Sequence, residues 1–296
     1  MPSHQPTTAG IAVIGGSGFY EMPGVDGLVE IAIETPFGPP SDAIRIGTAA
    51  GRRVAFLARH GRGHRLLPAE IPQRANFWAL KSLGVHTVLA VSAVGSLREE
   101  LPPGQLVVPD QILDRTSGAR PATFFGDGVV AHVSMAEPFC ARLRATLAAS
   151  ATAACAAAHD GGTLAVIEGP AFGTRAESHL YRQWGASIVG MTALPEAKLA
   201  REAELCYALL AAVTDYDSWH EGHEAVDAST VFRVLRENVA TAQRVVLTAI
   251  ATLAERPGCA CGTALSSALV TAPAAIPSEA RRRLLPILAR RLGDQS

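Results

Sequence analysis

Two aspartates separated by one tyrosine, Asp215-Tyr216-Asp217, close an apolar run that extends from Ala208 to Val213. On an extended chain, residues two apart point to the same side, so the two carboxyls face one another. Mutual repulsion and partial burial raise the proton affinity of at least one of them. A carboxyl that keeps its proton donates to a ring nitrogen such as purine N7, while an ionised partner accepts from an exocyclic amine. The same pair also fits a helix N-cap or a solvent-facing acidic turn.

Four other short segments have the chemistry of an anion site. Gly15-Gly16-Ser17-Gly18 follows the apolar run Ile11 to Ile14. Its glycines let backbone N–H groups approach an oxyanion, and the Ser17 hydroxyl adds a donor. The spacing is not that of a dinucleotide site, because Tyr20 and Glu21 stand where the last glycine is due, and the lysine of a P-loop is missing. Arg59-His60-Gly61 closes another apolar stretch, so a planar guanidinium able to hold two phosphate oxygens emerges beside an imidazole that can donate a third bond. Ser92-Ala93 and Met191-Thr192 each bring a hydroxyl to the end of a strand, although single hydroxyls at turns more often bond local backbone. His60 and His64 are interrupted by Gly61 and Gly63, which argues against a helical metal-binding pair, and no metal is expected.

Phe124, Phe125, Phe172, Met135 and His132 are candidates to stack on a base or enclose a ribose, core packing being the commoner fate of any one aromatic. Five cysteines, Cys140, Cys155, Cys206, Cys259 and Cys261, are too sparse for a secreted disulfide scaffold, so reduced thiols are expected. Cys259-Ala260-Cys261 resembles half of a zinc site, but no second pair lies nearby, and plain burial or a strained redox pair is the expectation.

These segments act together only if regular elements carry them to one place. Ile11 to Ile14 has the composition of a strand, Gln73 to Ser82 has helical spacing before Gly84, and HTVLAVSAVGS is a buried strand. Pro109 breaks the chain after a brief strand, and residues Arg115 to Glu137 form a long ordered loop. Cys140 to Ala158 is an alanine-rich surface helix. Strand LAVIEGP, helix ESHLYRQW, strand SIVGMT, a helix with Pro195 in its first turn, strand CYALLAAVTDYDSW and a long amphipathic helix from Ser229 follow, before a basic tail, RRRLLPILARRL. This order predicts an α/β fold: a single domain, residues 11–296 after a flexible leader of residues 1–10, with a central mixed or mainly parallel sheet flanked by helices on both faces. In such folds ligands sit at the carboxyl ends of the strands.

Composition narrows the partners. Among 296 residues, 26 basic and 27 acidic side chains leave a net charge of −1, so no global positive field exists to hold a nucleic-acid backbone, and phosphate must be bound locally. No apolar stretch approaches the roughly 20 residues needed to cross a bilayer, and Met1 to Gly10 lacks the apolar core of a signal peptide. A cytoplasmic protein with neither nucleic-acid nor membrane partner is expected.

Taken in order, VIGGSGFY, LARHGRGHRLLPAEIPQRANFW, SAVGSLREELPPG, DQILDRTSGARPATFF, IEGPAFGTRAES, GMTALPEAKLAREAEL and TDYDSWHEGHEAV span the chain from about Ile11 to the helix near Ser229. The sequence resembles the S-methyl-5′-thioadenosine phosphorylases of the purine nucleoside phosphorylase superfamily. That resemblance implies a nucleoside phosphorylase-like fold and attack of inorganic phosphate on C1′ of a 5′-modified adenosine. It implies phosphate contacts at Ser17, Arg59, His60, Ser92, Ala93 and Thr192, and a ribose contact at Met191. Ser17 stands where threonine is usual and keeps the hydroxyl. Asp215 becomes the acid at purine N7 and Asp217 the reader of the 6-amino group; an amide in place of Asp215 would favour 6-oxopurines, which leaves inosine and methylthioinosine as the alternative substrates. Phe172 is grouped with the substrate contacts, His132 matches a histidine that reaches the 5′ group from a neighbouring subunit, and Val231 and Phe232 match the lining of the methylthio pocket. The resemblance further implies a homotrimer and phosphate as co-substrate with no cofactor. Cys140 and Cys206 occupy positions that are disulfide-linked in some heat-loving relatives; unpaired thiols are expected here.

Overall fold

The computed structural model describes residues 8–16, 18–19, 22–221, 228–254 and 259–292. The strands are β1 (Ile11–Gly15), β2 (Val25–Ile31), β3 (Ile44–Ala49), β4 (Arg52–Ala58), β5 (Thr87–Ser96), β6 (Leu106–Val108), β7 (Gln111–Arg115), β8 (Ala158–Asp160), β9 (Thr163–Ile167), β10 (Ala186–Gly190) and β11 (Cys206–Asp215). The helices are α1 (Gln73–Ser82), α2 (Ala141–Ala153), α3 (Arg175–Gln183), α4 (Ala193–Glu202), α5 (Ala228–Thr252), α6 (Ser278–Arg283) and α7 (Leu285–Leu292).

Successive strand residues face opposite sides of a sheet, and the core divides accordingly. Ala12, Ile14, Val88, Ala90, Leu209 and Ala211 pack on one face with Phe77 and Leu80 of α1 and Leu199 and Ala200 of α4. Their neighbours Ile11, Val13, Leu89, Val91, Ala208 and Leu210 pack on the other with Leu143 and Leu147 of α2 and Val245, Val246 and Ile250 of α5. Strands apolar on both faces need helices on both, and the expected α/β layering follows.

The sheet is mixed and branches at β5. Strands β4, β1, β5 and β11 run parallel, so their carboxyl ends share one edge. β10 joins β5 antiparallel, and β9 and β7 extend the sheet beyond it. Strand β1 pairs β5 only as far as Ala90, whereas β10 pairs it at Gly95 and Ser96. Between these contacts, Val91 to Val94 of β5 lie beside a gap in the sheet.

Two sequence expectations change. The alanine-rich helix ends at Ala153, because Cys155 takes a positive φ of 52° and turns the chain into β8, and its Leu143, Leu147 and Ala151 are buried rather than on the surface. The segment read as a basic tail is two short helices: Leu284, Ile287 and Leu288 recur at helical spacing and bury against the core, leaving Arg282 and Arg290 on other faces. Trp78 Nε1 donates to Arg283 O at 2.8 Å, and Arg291 pairs with buried Glu204 at 2.8 Å. Among the described residues, no helix is long and apolar enough to cross a membrane.

Candidate active site

The parallel strands deliver their ends to a single cavity of about 330 Å³. Its lining includes Gly16 after β1, Arg59 and His60 after β4, Ser92 and Ala93 of β5, Met191 and Thr192 after β10, and Thr214, Asp215 and Asp217 at the end of β11. Phe172, Val231 and Phe19 complete part of the apolar wall. Ser17 lies outside the described residues, as does the side chain of Phe232. His132 is exposed and does not line this cavity; its N–H donates to Ala268 O at 2.8 Å. Phe124 and Phe125 are core residues, with Phe124 edge-on to Phe37, and Met135 packs against the same cluster, so these three do not form a base platform.

Ser92 and Ala93 sit inside β5 rather than at its end. They are accessible because they fall in the gap where β1 has stopped pairing and β10 has not begun. The β10 register, Val189 opposite Gly95, places Thr192 opposite Ser92 when continued three residues. Their hydroxyls meet at 2.9 Å. Gly15 makes the turn tight enough: a Cβ there would lie 2.2 Å from Phe19 Cβ, and its carbonyl accepts the Arg59 N–H at 2.9 Å.

Arg59, expected to hold two phosphate oxygens with its planar fork, has all three guanidinium nitrogens on protein acceptors. It is 1% exposed, and Nε and Nη2 donate to Glu196 at 2.5 and 3.2 Å while Nη1 donates to Val91 O at 2.7 Å. Glu196 is itself fully buried and accepts from Tyr207 Oη at 2.8 Å and Gln73 Nε2 at 3.4 Å. A charge buried this way requires its partner. The cation lines the cavity and the carboxylate stands behind it, so the positive end of the pair faces the opening.

His60 also changes role. Its Nδ1 lies 2.8 Å from Leu66 O, and since a carbonyl only accepts, Nδ1 carries the hydrogen. Burial, helped by the charge of Arg59 and by His64, lowers its pKa to about 4. The ring is neutral at pH 7, which makes Nε2 an acceptor: it suits the P–OH of hydrogen phosphate rather than donating a bond of its own.

Elsewhere on the cavity wall, Asp215 ends the strand and the chain bends, Asp217 having φ 51°, so the two carboxyls are not simply side by side on extended backbone. Asp215 Oδ1 accepts from Asp217 N–H and Oδ2 from Thr214 Oγ1, both at 2.8 Å. Gly95 permits the approach, since a Cβ there would be 2.9 Å from Asp215 Oδ1. Asp217 Oδ2 accepts a short bond from buried Ser178 on α3. Burial raises the pKa of both carboxyls, and the charge of Asp217 raises Asp215 further against its hydrogen bonds.

Sequence reading missed Glu196, Ser178 and Thr214. Glu196 was visible as a glutamate on the apolar stripe it shares with Leu199, Ala200 and Ala203, and Ser178 as a small polar residue three before buried Tyr181. Another expectation fails away from the cavity: a second cysteine pair does lie beside Cys259 and Cys261, formed by Cys140 and Cys206.

Residues 10–251 match the model of the family described as the phosphorylase superfamily. The S-methyl-5′-thioadenosine phosphorylase of Geobacter sulfurreducens is 53% identical over 274 residues, covering 93% of this chain and 96% of that one. A methylthioadenosine phosphorylase from an antarctic soil metagenomic library superimposes with a TM-score of 0.91 at 50% identity, over 95% of this chain and 99% of that one. The Schistosoma mansoni methylthioadenosine phosphorylase, solved with adenine, gives a TM-score of 0.76 at 38% identity, over 82% of this chain and 91% of that one.

Proposed function

Because the chain belongs to the phosphorylase superfamily, we propose that it cleaves the N-glycosidic bond of S-methyl-5′-thioadenosine, or a closely related 5′-deoxy-5′-substituted adenosine, with inorganic phosphate. The products are adenine and 5-methylthioribose 1-phosphate, a purine- and methionine-salvage reaction of the pentosyltransferase class. The observation that carries this reading is the pair Asp215 and Asp217 on the same cavity as Arg59, His60, Ser92 and Thr192. Phosphate is the co-substrate and no cofactor takes part.

In the reaction, a phosphate oxygen bonds C1′ while the C1′–N9 pair of electrons moves onto the purine. Positive charge grows on the sugar and negative charge on the leaving base. Asp215 meets the latter. Its Oδ1 is fixed as an acceptor by Asp217 N–H, so its proton belongs on Oδ2, where the Thr214 hydroxyl turns to its second acceptor, Val94 O at 3.2 Å. The protonated carboxyl supplies the hydrogen that N7 needs as the bond breaks. Asp217, positioned by Ser178, accepts from the 6-amino group. For the phosphate, His60 Nε2 accepts from hydrogen phosphate, and Ser92, Ala93, Thr192 and the Gly16 backbone surround its oxygens. Met191 lies against the ribose, and Phe172 and Val231 supply apolar surface for the nucleoside.

The domain assignment, 11–296 after a short leader, and a cytoplasmic setting belong to the same proposal. So does assembly as a homotrimer, supported by His132, which is exposed and outside its own chain's cavity. There it is available to a neighbour's 5′ pocket. The test is kcat/KM for methylthioadenosine against inosine at saturating phosphate. Preference for methylthioadenosine is expected; preference for inosine would contradict the assignment of Asp215 and Asp217.

A further inference from the structure

Away from the nucleoside cavity, four thiols from three distant parts of the chain converge. Cys140 immediately precedes α2, Cys206 begins β11, and Cys259 and Cys261 flank and enter the turn at Ala260–Thr263. All four sulfurs lie within 4.8 Å of one another. Cys140, Cys206 and Cys261 are 3%, 0% and 5% exposed, and Cys259 is half-buried. We propose that this cluster is a structural zinc site, with Cys140, Cys206, Cys259 and Cys261 as four thiolate ligands.

The spacing decides between possible uses of the thiols. Around zinc, Zn–S bonds of about 2.3 Å in a tetrahedron put sulfurs about 3.8 Å apart. Cys259 Sγ is 3.5 Å from Cys140 Sγ and also 3.5 Å from Cys206 Sγ. A sulfur shared evenly between two neighbours favours no single disulfide partner, whereas a common centre treats all four alike. No bond joins any of them, and the fifth cysteine, exposed Cys155, is outside the group.

The surroundings supply the second observation. Binding releases four thiol protons and leaves a zinc tetrathiolate carrying two negative charges. Two guanidinium groups already face the sulfurs: Arg142 Nη2 is 3.8 Å from Cys206 Sγ, and Arg201 Nη1 is 3.6 Å from Cys261 Sγ. N–H donors to thiolate, matched in number to the excess charge, are the outer shell such a centre uses. The metal would tie the segment after α5, which leads into α6 and α7, to the start of α2 and the foot of β11. Its role is to hold the fold, and it supplies nothing to phosphorolysis.

The experiment is metal analysis of the full-length chain, purified without a metal-affinity tag and dialysed against chelator, by inductively coupled plasma mass spectrometry. About one zinc per chain is expected, unchanged in Cys155→Ser and lost in Cys261→Ser. Metal-free chain titrated with cobalt should develop the visible absorption of tetrahedral sulfur-ligated cobalt. The pair Arg142→Gln and Arg201→Gln should weaken zinc binding about 10- to 100-fold. If Cys261→Ser does not fold, titration of the metal-free wild-type chain with zinc alone still decides. Reduced wild-type chain that takes up neither zinc nor cobalt would overturn the proposal. So would chain isolated without zinc whose intact mass shows the loss of hydrogens that disulfide formation requires.

Discussion

In the proposed reaction Asp215 acts as an acid only while it holds a proton, and its burial favours the protonated form. Its pKa is raised by desolvation and by the nearby charge of Asp217. The protonated form is therefore present below the raised value and depleted as pH climbs through it, so turnover of a 6-aminopurine nucleoside should fall on the alkaline side. By the same linkage, this group contributes stability below its ordinary value of 3.8 and loses it as pH rises through the raised one. Asp215→Asn should lower kcat for methylthioadenosine about 100-fold or more and abolish that limb of the pH profile; an unaltered profile would show that another group is the acid. The Arg59–Glu196 pair makes the second residue-scale prediction. Glu196→Gln leaves a buried guanidinium without its counter-charge, which should cost about 3–5 kcal/mol in denaturant unfolding and raise KM for phosphate. An unchanged midpoint would mean that Arg59 is held by other contacts. The basic residue and the imidazole were legible at the end of an apolar strand; their hydrogen-bond roles were not. Glu196 is 137 positions from Arg59 in sequence and Leu66 O meets His60 only through the fold of the turn, so neither partner is encoded by local spacing.

Among the elements, strands were the most readable because burial on both faces leaves an unmistakable apolar run. The gap in the sheet beside β5 was not, since it depends on where β1 and β10 stop pairing, a matter of register rather than composition. That gap is what exposes Ser92 and aligns it with Thr192. The last two helices show the opposite failure. Five arginines between Arg281 and Arg291 would dominate the reading if charge alone were weighed, yet the leucines keep helical spacing beneath them. Because Leu288 is fully buried against the sheet-facing core, Leu288→Ala should destabilise the protein by about 2–5 kcal/mol. A solvated tail would give no change, and thermal or denaturant unfolding separates the two outcomes.

For the whole molecule, the ordered run of motifs conveyed the fold family, while the convergence of the motifs required coordinates. Four parallel strands put Gly16, Arg59, Ser92 and Asp215 on one edge, and the antiparallel entry of β10 returns Met191 and Thr192 to it. Arg59, His60, Ser92 and Thr192 therefore line the same cavity as Asp215 and Asp217, and the proposed reaction puts the glycosidic bond between the two groups. The separate cysteine cluster escaped sequence reading for the same reason, its members being brought together from Cys140, Cys206 and the segment after α5. The most direct measurement of the central claim is adenine release from methylthioadenosine with inorganic phosphate present and with phosphate rigorously removed. Adenine should form together with an equal amount of sugar 1-phosphate, and only when phosphate is supplied. Adenine released at the same rate without phosphate would contradict the account.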